Sequence, residues 1–135
     1  MINLDTTKGF VPIYRSLLDE PIWFCWSPEY RVVFITLVLM VNHSAKIWEF
    51  KGKSYSVFPG GKITSVKSIE KSCGKGITTA IVRSALKKFV NMGLIEIETS
   101  NENTLIRIRN WDSNYTIKSK QKNKGITVIK PANSI

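Results

Sequence analysis

Residues 76–97, GITTAIVRSALKKFVNMGLIEI, form the clearest periodic pattern in this chain of 135 residues. At 100° per residue, the bulky apolar residues fall on one side of a helix: Ile81, Val82, Ala85, Leu86 and Phe89. The other side carries small, polar and cationic residues: Thr79, Ala80, Arg83, Ser84, Lys87 and Asn91. Thr78 or Thr79 can cap the helix start, and Gly93 suits the left-handed residue that follows a helix. The stretch therefore predicts an amphipathic helix with one packed side and one exposed side.

A shorter helix is predicted directly before it, in residues 64–73, where Val66 and Ile69 share one side. Residues 74–76, Gly-Lys-Gly, then suit a sharp turn between the two helices. A short helix, a glycine-containing turn and an amphipathic helix with a cationic outer side are, in this order, typical of a helix-turn-helix.

Two alternating segments follow, residues 94–99 and 104–109. With a loop at residues 100–103, an antiparallel register pairs apolar residues and opposite charges: Ile97 with Ile106, Ile95 with Ile108, and Glu96 with Arg107. This hairpin is the expected wing. The predicted fold class is α+β, a winged helix-turn-helix with an extra N-terminal helix and an additional β-hairpin before the helix-turn-helix.

The N-terminal half supplies those additional elements. Residues 9–20 predict a first helix that Pro21 ends, and Ser27 with Pro28 predicts the start of a helix that runs to Asn42. Two short segments of strand character, residues 46–50 and 54–58, predict the hairpin around Gly52. We expect a flexible N-terminus at residues 1–8, one winged-helix domain at residues 9–115, and a basic, disordered tail at residues 116–135.

Two segments are unusually apolar. Residues 21–26, PIWFCW, either cover the core or form an exposed surface for stacking or oligomerisation. The helix over residues 28–42 is apolar almost all round, so most of its sides must be covered. Because the domain is small, we expect part of this helix to face another copy of the chain in a homo-oligomer.

The net charge of +10 is concentrated in the second half of the chain. Residues 1–60 carry six Lys or Arg against five acids, whereas residues 61–135 carry fourteen against five. This asymmetry is expected of a nucleic-acid-binding protein, since cations neutralise phosphates and release counterions. A solvated basic surface would give the same totals. The tail, with five lysines and no acid, either adds phosphate contacts or is simply solvated.

Residue types that carry catalysis or bind metals are scarce. Cys25 and Cys73 are far apart, and His43 is the single histidine. Gly60-Gly61-Lys62 lacks the spacing of a phosphate-binding loop. We therefore expect no enzyme, cofactor or metal. With no signal-peptide pattern and no apolar run long enough for a bilayer, a cytoplasmic location is expected.

Several segments together resemble the N-terminal winged-helix domain of phage replisome organisers, replication-initiation proteins of the DnaD type. They are FVPIYRSLLDEPIW at 10–23, SPEYR at 27–31, PGGKITS at 59–65, IVRSALKKFVNMGLIEI at 81–97 and NWD at 110–112. The resemblance covers about residues 9–115 and implies binding of origin repeats and assembly with a helicase or its loader. Such proteins usually continue into a second domain. If the chain is complete, helicase loading is not expected and only origin or operator binding carries over.

The predicted function is sequence-specific binding of double-stranded DNA, with the helix over residues 78–91 in the major groove. Arg83 is the candidate for a bidentate contact to guanine, and the remaining candidates contact base edges, grooves or phosphates: Lys71, Lys75, Thr78, Thr79, Ser84, Lys87, Asn101 and Asn103. Two alternatives remain open. One is a winged-helix transcriptional regulator, and the other is a non-catalytic module that docks on protein.

Overall fold

The computed structural model describes residues 2–42, 46–50, 52–100, 103–111 and 115. The helices are α1 (Pro21–Cys25), α2 (Pro28–Met40), α3 (Val66–Cys73) and α4 (Thr79–Asn91). The strands are β1 (Lys46–Phe50), β2 (Lys53–Val57), β3 (Gly61–Thr64), β4 (Ile95–Thr99) and β5 (Thr104–Ile108). The chain thus has a mixed α+β fold. The predictions that concern His43, Asn101 and the tail at residues 116–135 lie outside the described residues.

The helix predicted over residues 9–20 is wrong. The structure has only a short 3-10 helix there, Arg15–Asp19, and Pro21 begins α1 instead of ending a helix. Glu20 is extended, at φ −78° and ψ 127°, which is the conformation that a following proline favours. Proline is tolerated at the first position of a helix because no intrahelical acceptor awaits its amide. Pro21 therefore separates two short helical segments.

The start of α2 is as predicted. The Ser27 hydroxyl accepts a hydrogen bond from the backbone N–H of Tyr30, and Pro28 is the first helical residue. The helix ends at Met40, two residues earlier than predicted. Its buried side packs into the core through Val33, Phe34, Leu37 and Val38, whereas Leu39 remains 61% exposed.

Phe89 of α4 lies at the centre of the core. Its ring centroid is 4.9 Å from that of Trp26, 5.6 Å from that of Phe34 and 6.2 Å from that of Tyr30. Within residues 21–26, Trp26 is buried but Phe24 is exposed. The segment therefore covers the core with Trp26 and leaves Phe24 on the surface.

Hydrogen bonds cap the starts of α3 and α4 and the end of α4. Ser65 caps α3 by accepting from the N–H of Ser68, and Thr78 caps α4 by accepting from the N–H of Ile81. At the end of α4, Gly93 has φ 76° and its N–H donates to the carbonyl of Val90. The N–H of residue 94 donates to the carbonyl of Phe89, which completes a Schellman motif. The helix bounds predicted around residues 78–93 are confirmed.

The strands after α4 have the predicted register. In the β4–β5 pair, the residues opposite one another are Ile95 and Ile108, Glu96 and Arg107, and Ile97 and Ile106. The sequence pattern did not predict β3, which pairs antiparallel with β5 and completes a sheet of order β3-β5-β4. The predicted hairpin is present, although β2 begins and ends one residue earlier than the predicted 54–58. It forms a two-stranded sheet of its own.

Gly60 and Trp111 join the start of β3 to the end of the sheet. The N–H of Gly60 donates to the carbonyl of Asn42, and its own carbonyl accepts from the N–H of Ile108. Trp111 is buried beside Gly60, and the ring of Tyr115 lies 5.2 Å from that of Trp111. Burial raises the pKa of Tyr115 to about 12. Trp111 and Tyr115 therefore form an aromatic contact that follows β5.

Candidate nucleic-acid interface

The unit α3–turn–α4, residues 66–91, carries six basic side chains and a single acid. All six basic residues are exposed: Lys67, Lys71, Lys75, Arg83, Lys87 and Lys88. The acid, Glu70, is half-buried. Because exposed cations of one sign raise the local potential, this surface attracts a polyanion. We call it the basic surface.

Arg83 and Lys87 lie on the side of α4 opposite the buried residues. The side chain of Arg83 makes no hydrogen bond and no ion pair with any residue that the structure describes. Its guanidinium, with five donors in a rigid fork, is therefore free to bind a base edge or a phosphate. Lys87, one helical turn further along, is exposed in the same way.

Two hydroxyls of α4 that the sequence assigned to DNA already have partners in the protein. Thr79 donates through Oγ1 to Oε1 of Glu70 at 2.5 Å, which ties the start of α4 to α3. Ser84 shares a hydrogen bond with the hydroxyl of Tyr30 on α2. Thr78 accepts the capping hydrogen bond described above, but its hydroxyl hydrogen has no acceptor in the described part of the chain.

The turn between the helices forms one wall of an open depression. The depression has a volume of about 710 Å³ and is lined by Lys67, Ser68, Glu70, Lys71, Gly74, Lys75, Gly76 and Ile77. Three lysines around one concave surface are suited to contacts with phosphate oxygens rather than to a small apolar ligand. Lys71 and Lys75 thus line one depression together with Lys67, and their contacts with phosphate stay a prediction.

The β4–β5 hairpin adds little positive charge to the basic surface. Arg107 forms an ion pair with Glu96 at 2.9 Å, between Nη1 and Oε1. Asn103 is folded into the loop, where its N–H donates to the hydroxyl of Ser100 and its carbonyl accepts from the N–H of Ser100. Asn103 is therefore a loop-forming residue in this structure, and Asn101 lies outside the described residues.

Comparisons with protein-family models, curated proteins and solved structures give no match. Among the residues that the structure describes, no three His, Cys, Asp or Glu side chains come together as metal ligands would. No helix in the described ranges has both the length and the apolar character needed to cross a bilayer.

Sequence reasoning missed four residues that shape the basic surface. Lys67 and Lys71 are four positions apart, a spacing that places them on one side of α3, so Lys67 could have been found from the helical pattern. Lys88 follows Lys87 directly and is equally exposed. Glu70 and Tyr30 could not have been found, because each contacts α4 through a tertiary hydrogen bond that has no local sequence signal.

Proposed function

We propose that this chain binds double-stranded DNA sequence-specifically through a winged helix-turn-helix formed by α3, α4 and the β4–β5 hairpin. The observation that carries the proposal is the basic surface, with six exposed cations against one half-buried acid on a single helical unit. An α-helix fits the major groove of B-DNA. In this arrangement α4 enters the groove and α3 crosses the phosphate backbone.

The individual roles follow from which donors are free. Arg83 is the side chain suited to bidentate hydrogen bonds with O6 and N7 of guanine. Lys87 contacts base edges or phosphate, and Lys71 and Lys75 contact phosphate. Thr78 caps α4 with its oxygen and keeps a hydrogen to donate to a phosphate. The β4–β5 hairpin, as the wing, helps to orient the protein on DNA but adds little electrostatic attraction, since Arg107 is paired with Glu96.

Substitution of Arg83 by alanine is expected to reduce the preference for specific over nonspecific DNA by about 1–3 kcal/mol. The physical reason is that the bidentate hydrogen bonds to guanine disappear, whereas α4 keeps its buried side. Kd values for a selected site and for a scrambled duplex measure the effect. Arg15→Ala removes an exposed arginine far from residues 66–91 in the sequence and is the matched control. An unchanged ratio in Arg83→Ala would refute the role of Arg83.

We further propose that the chain acts in the cytoplasm in phage or plasmid-type replication initiation, as an origin-binding replisome organiser that works with a helicase or its loader. The support is the resemblance of residues 9–115 to such proteins. The same basic surface would also serve a transcriptional regulator. The position of the bound sites distinguishes the two, because repeats inside a replication origin favour the first function and a single operator beside a promoter favours the second.

We propose that the chain forms a homo-oligomer. Large apolar side chains remain on the surface of the N-terminal half, including Phe10, Leu18, Phe24 and Leu39, each more than 60% exposed. Apolar surface of this kind is commonly covered by association. Sedimentation equilibrium is expected to show a dimer or larger assembly at tens of micromolar, and a clean monomer would refute the proposal. The same surface would serve a protein-docking module.

A further inference from the structure

Thr79 is the first residue of α4, and its hydroxyl hydrogen is committed within the protein. Oγ1 of Thr79 lies 2.5 Å from Oε1 of Glu70. A carboxylate has no hydrogen to donate, so Thr79 must be the donor and Glu70 the acceptor. Both residues are half-buried, and Glu70 lines the open depression beside the turn. The pair is therefore accessible from the basic surface.

This hydrogen bond fixes what Thr79 can offer a ligand. A free threonine hydroxyl can donate or accept, and it contacts either kind of base edge. Once its hydrogen points to Glu70, only the lone pairs of Oγ1 remain. A hydroxyl that donates to a charged acceptor is also polarised, which makes its oxygen a better acceptor. The second carboxylate oxygen of Glu70 is an acceptor as well.

We propose that the Glu70–Thr79 side-chain pair, which offers only hydrogen-bond acceptors, selects an amino-bearing base, adenine or cytosine, at one position of the DNA site. Adenine N6 and cytosine N4 are the hydrogen-bond donors of the major groove, whereas guanine O6 and N7 and thymine O4 are acceptors. An acceptor facing another acceptor leaves both unpaired. The inference deepens the proposed DNA binding and rests on it.

Thr79 then differs from the residues that contact phosphate. Phosphate oxygens only accept hydrogen bonds, and the negative charge of Glu70 repels them. The lysines around the depression bind phosphate, while the Glu70–Thr79 pair faces a base. Glu70, the single acid of residues 66–91, thus influences which base is bound. The alternative is that the Glu70–Thr79 hydrogen bond only holds α3 and α4 together and has no effect on which base is bound.

The test begins with selection of binding sites from randomised duplexes by the wild-type protein. One position of the selected site is expected to favour adenine or cytosine over guanine and thymine on one strand by about tenfold in Kd. That ratio is then measured on two duplexes that differ only at this position. Thr79→Val removes the hydroxyl with little change in shape, and Glu70→Ala frees the hydroxyl to donate again. Each is expected to reduce the ratio to less than about threefold.

Thr79→Ser keeps the hydroxyl and is expected to keep the tenfold ratio, which makes it the matched control. Because both duplexes are titrated with the same preparation, partial unfolding of a variant changes both Kd values and cancels in the ratio. If Thr79→Val and Glu70→Ala left the ratio of the two Kd values unchanged, the Glu70–Thr79 hydrogen bond would serve only to hold α3 and α4 together. That result would overturn the inference. Failure of the wild-type protein to select any sequence would overturn the proposed function, and this inference with it.

Discussion

Substitution of Phe89 by alanine is expected to lower the free energy of unfolding by about 3–5 kcal/mol. Phe89 is fully buried, and its ring lies against those of Trp26, Phe34 and Tyr30. Alanine leaves a cavity at the point where α2, α4 and the segment before α2 meet, and it removes three aromatic contacts. Since small domains have only about 5–15 kcal/mol of stability, this variant should be close to unfolding at room temperature.

Equilibrium unfolding in urea, followed by tryptophan fluorescence, measures this loss. Val90→Ala is the matched control, because Val90 is the next residue of the same helix and is 41% exposed. Its loss is expected to stay below about 1 kcal/mol. If Phe89→Ala unfolded at the urea concentration of the wild-type protein, the placement of Phe89 at the centre of the core would be wrong.

Substitution of Gly60 by alanine is expected to lower the free energy of unfolding by about 2–5 kcal/mol. This is the sum of the costs of a left-handed conformation and of a steric clash. Gly60 has φ 85°, and a Cβ atom there would lie 2.7 Å from both Cβ and Cγ of Trp111. Neither Trp111 atom is the end of a flexible side chain. Gly60 is also held by hydrogen bonds to Asn42 and Ile108, so the backbone cannot withdraw without breaking them.

Gly52→Ala isolates the clash from the conformational cost. Gly52 has φ 78°, nearly the same as Gly60, but a Cβ atom added to Gly52 would meet nothing within 4 Å. The Gly52→Ala variant should lose only about 1–2 kcal/mol of unfolding free energy, which is the cost of the left-handed conformation. Thermal or urea unfolding of both variants gives the comparison, and equal losses would contradict the close approach of Trp111 to Gly60.

Local patterns explain why much of the fold could be predicted from the sequence. The apolar side of α4, its Thr78 cap and its Gly93 terminus all depend on residues within one or two helical turns. The register of β4 and β5 follows from alternation across a short loop, which aligns apolar residues and places Glu96 opposite Arg107. In each of these cases the residues that determine the structure are close together in the chain.

The features that were missed depend on distant residues. Residues 62–64 look like a connection after two glycines. Together with Gly61 they become β3 only because β5, which begins at Thr104, offers an edge to pair with. Residues 9–20 have helical spacing, but the prolines at 12 and 21 favour extended residues before them and limit the helix to a single short 3-10 segment.

In the candidate site, too, the features set by local sequence could be predicted and those set by distant residues could not. The exposure of Arg83 and Lys87 could be predicted, because it follows from the helical period that buries the other side of α4. The hydrogen bonds that hold Thr79 and Ser84 could not be predicted, since their partners Glu70 and Tyr30 lie on other helices. These contacts change the expected chemistry of two hydroxyls without altering the position of α4.

A binding titration at two salt concentrations tests the central claim, sequence-specific DNA binding, most directly. The two ligands are duplexes from the DNA flanking its own gene and scrambled duplexes of equal length. We expect at least about 10³-fold tighter binding to a discrete set of sites, with affinity falling as salt rises because phosphate contacts release counterions. Equally weak and steeply salt-dependent binding to both duplexes would contradict the account and reduce the basic surface to nonspecific attraction.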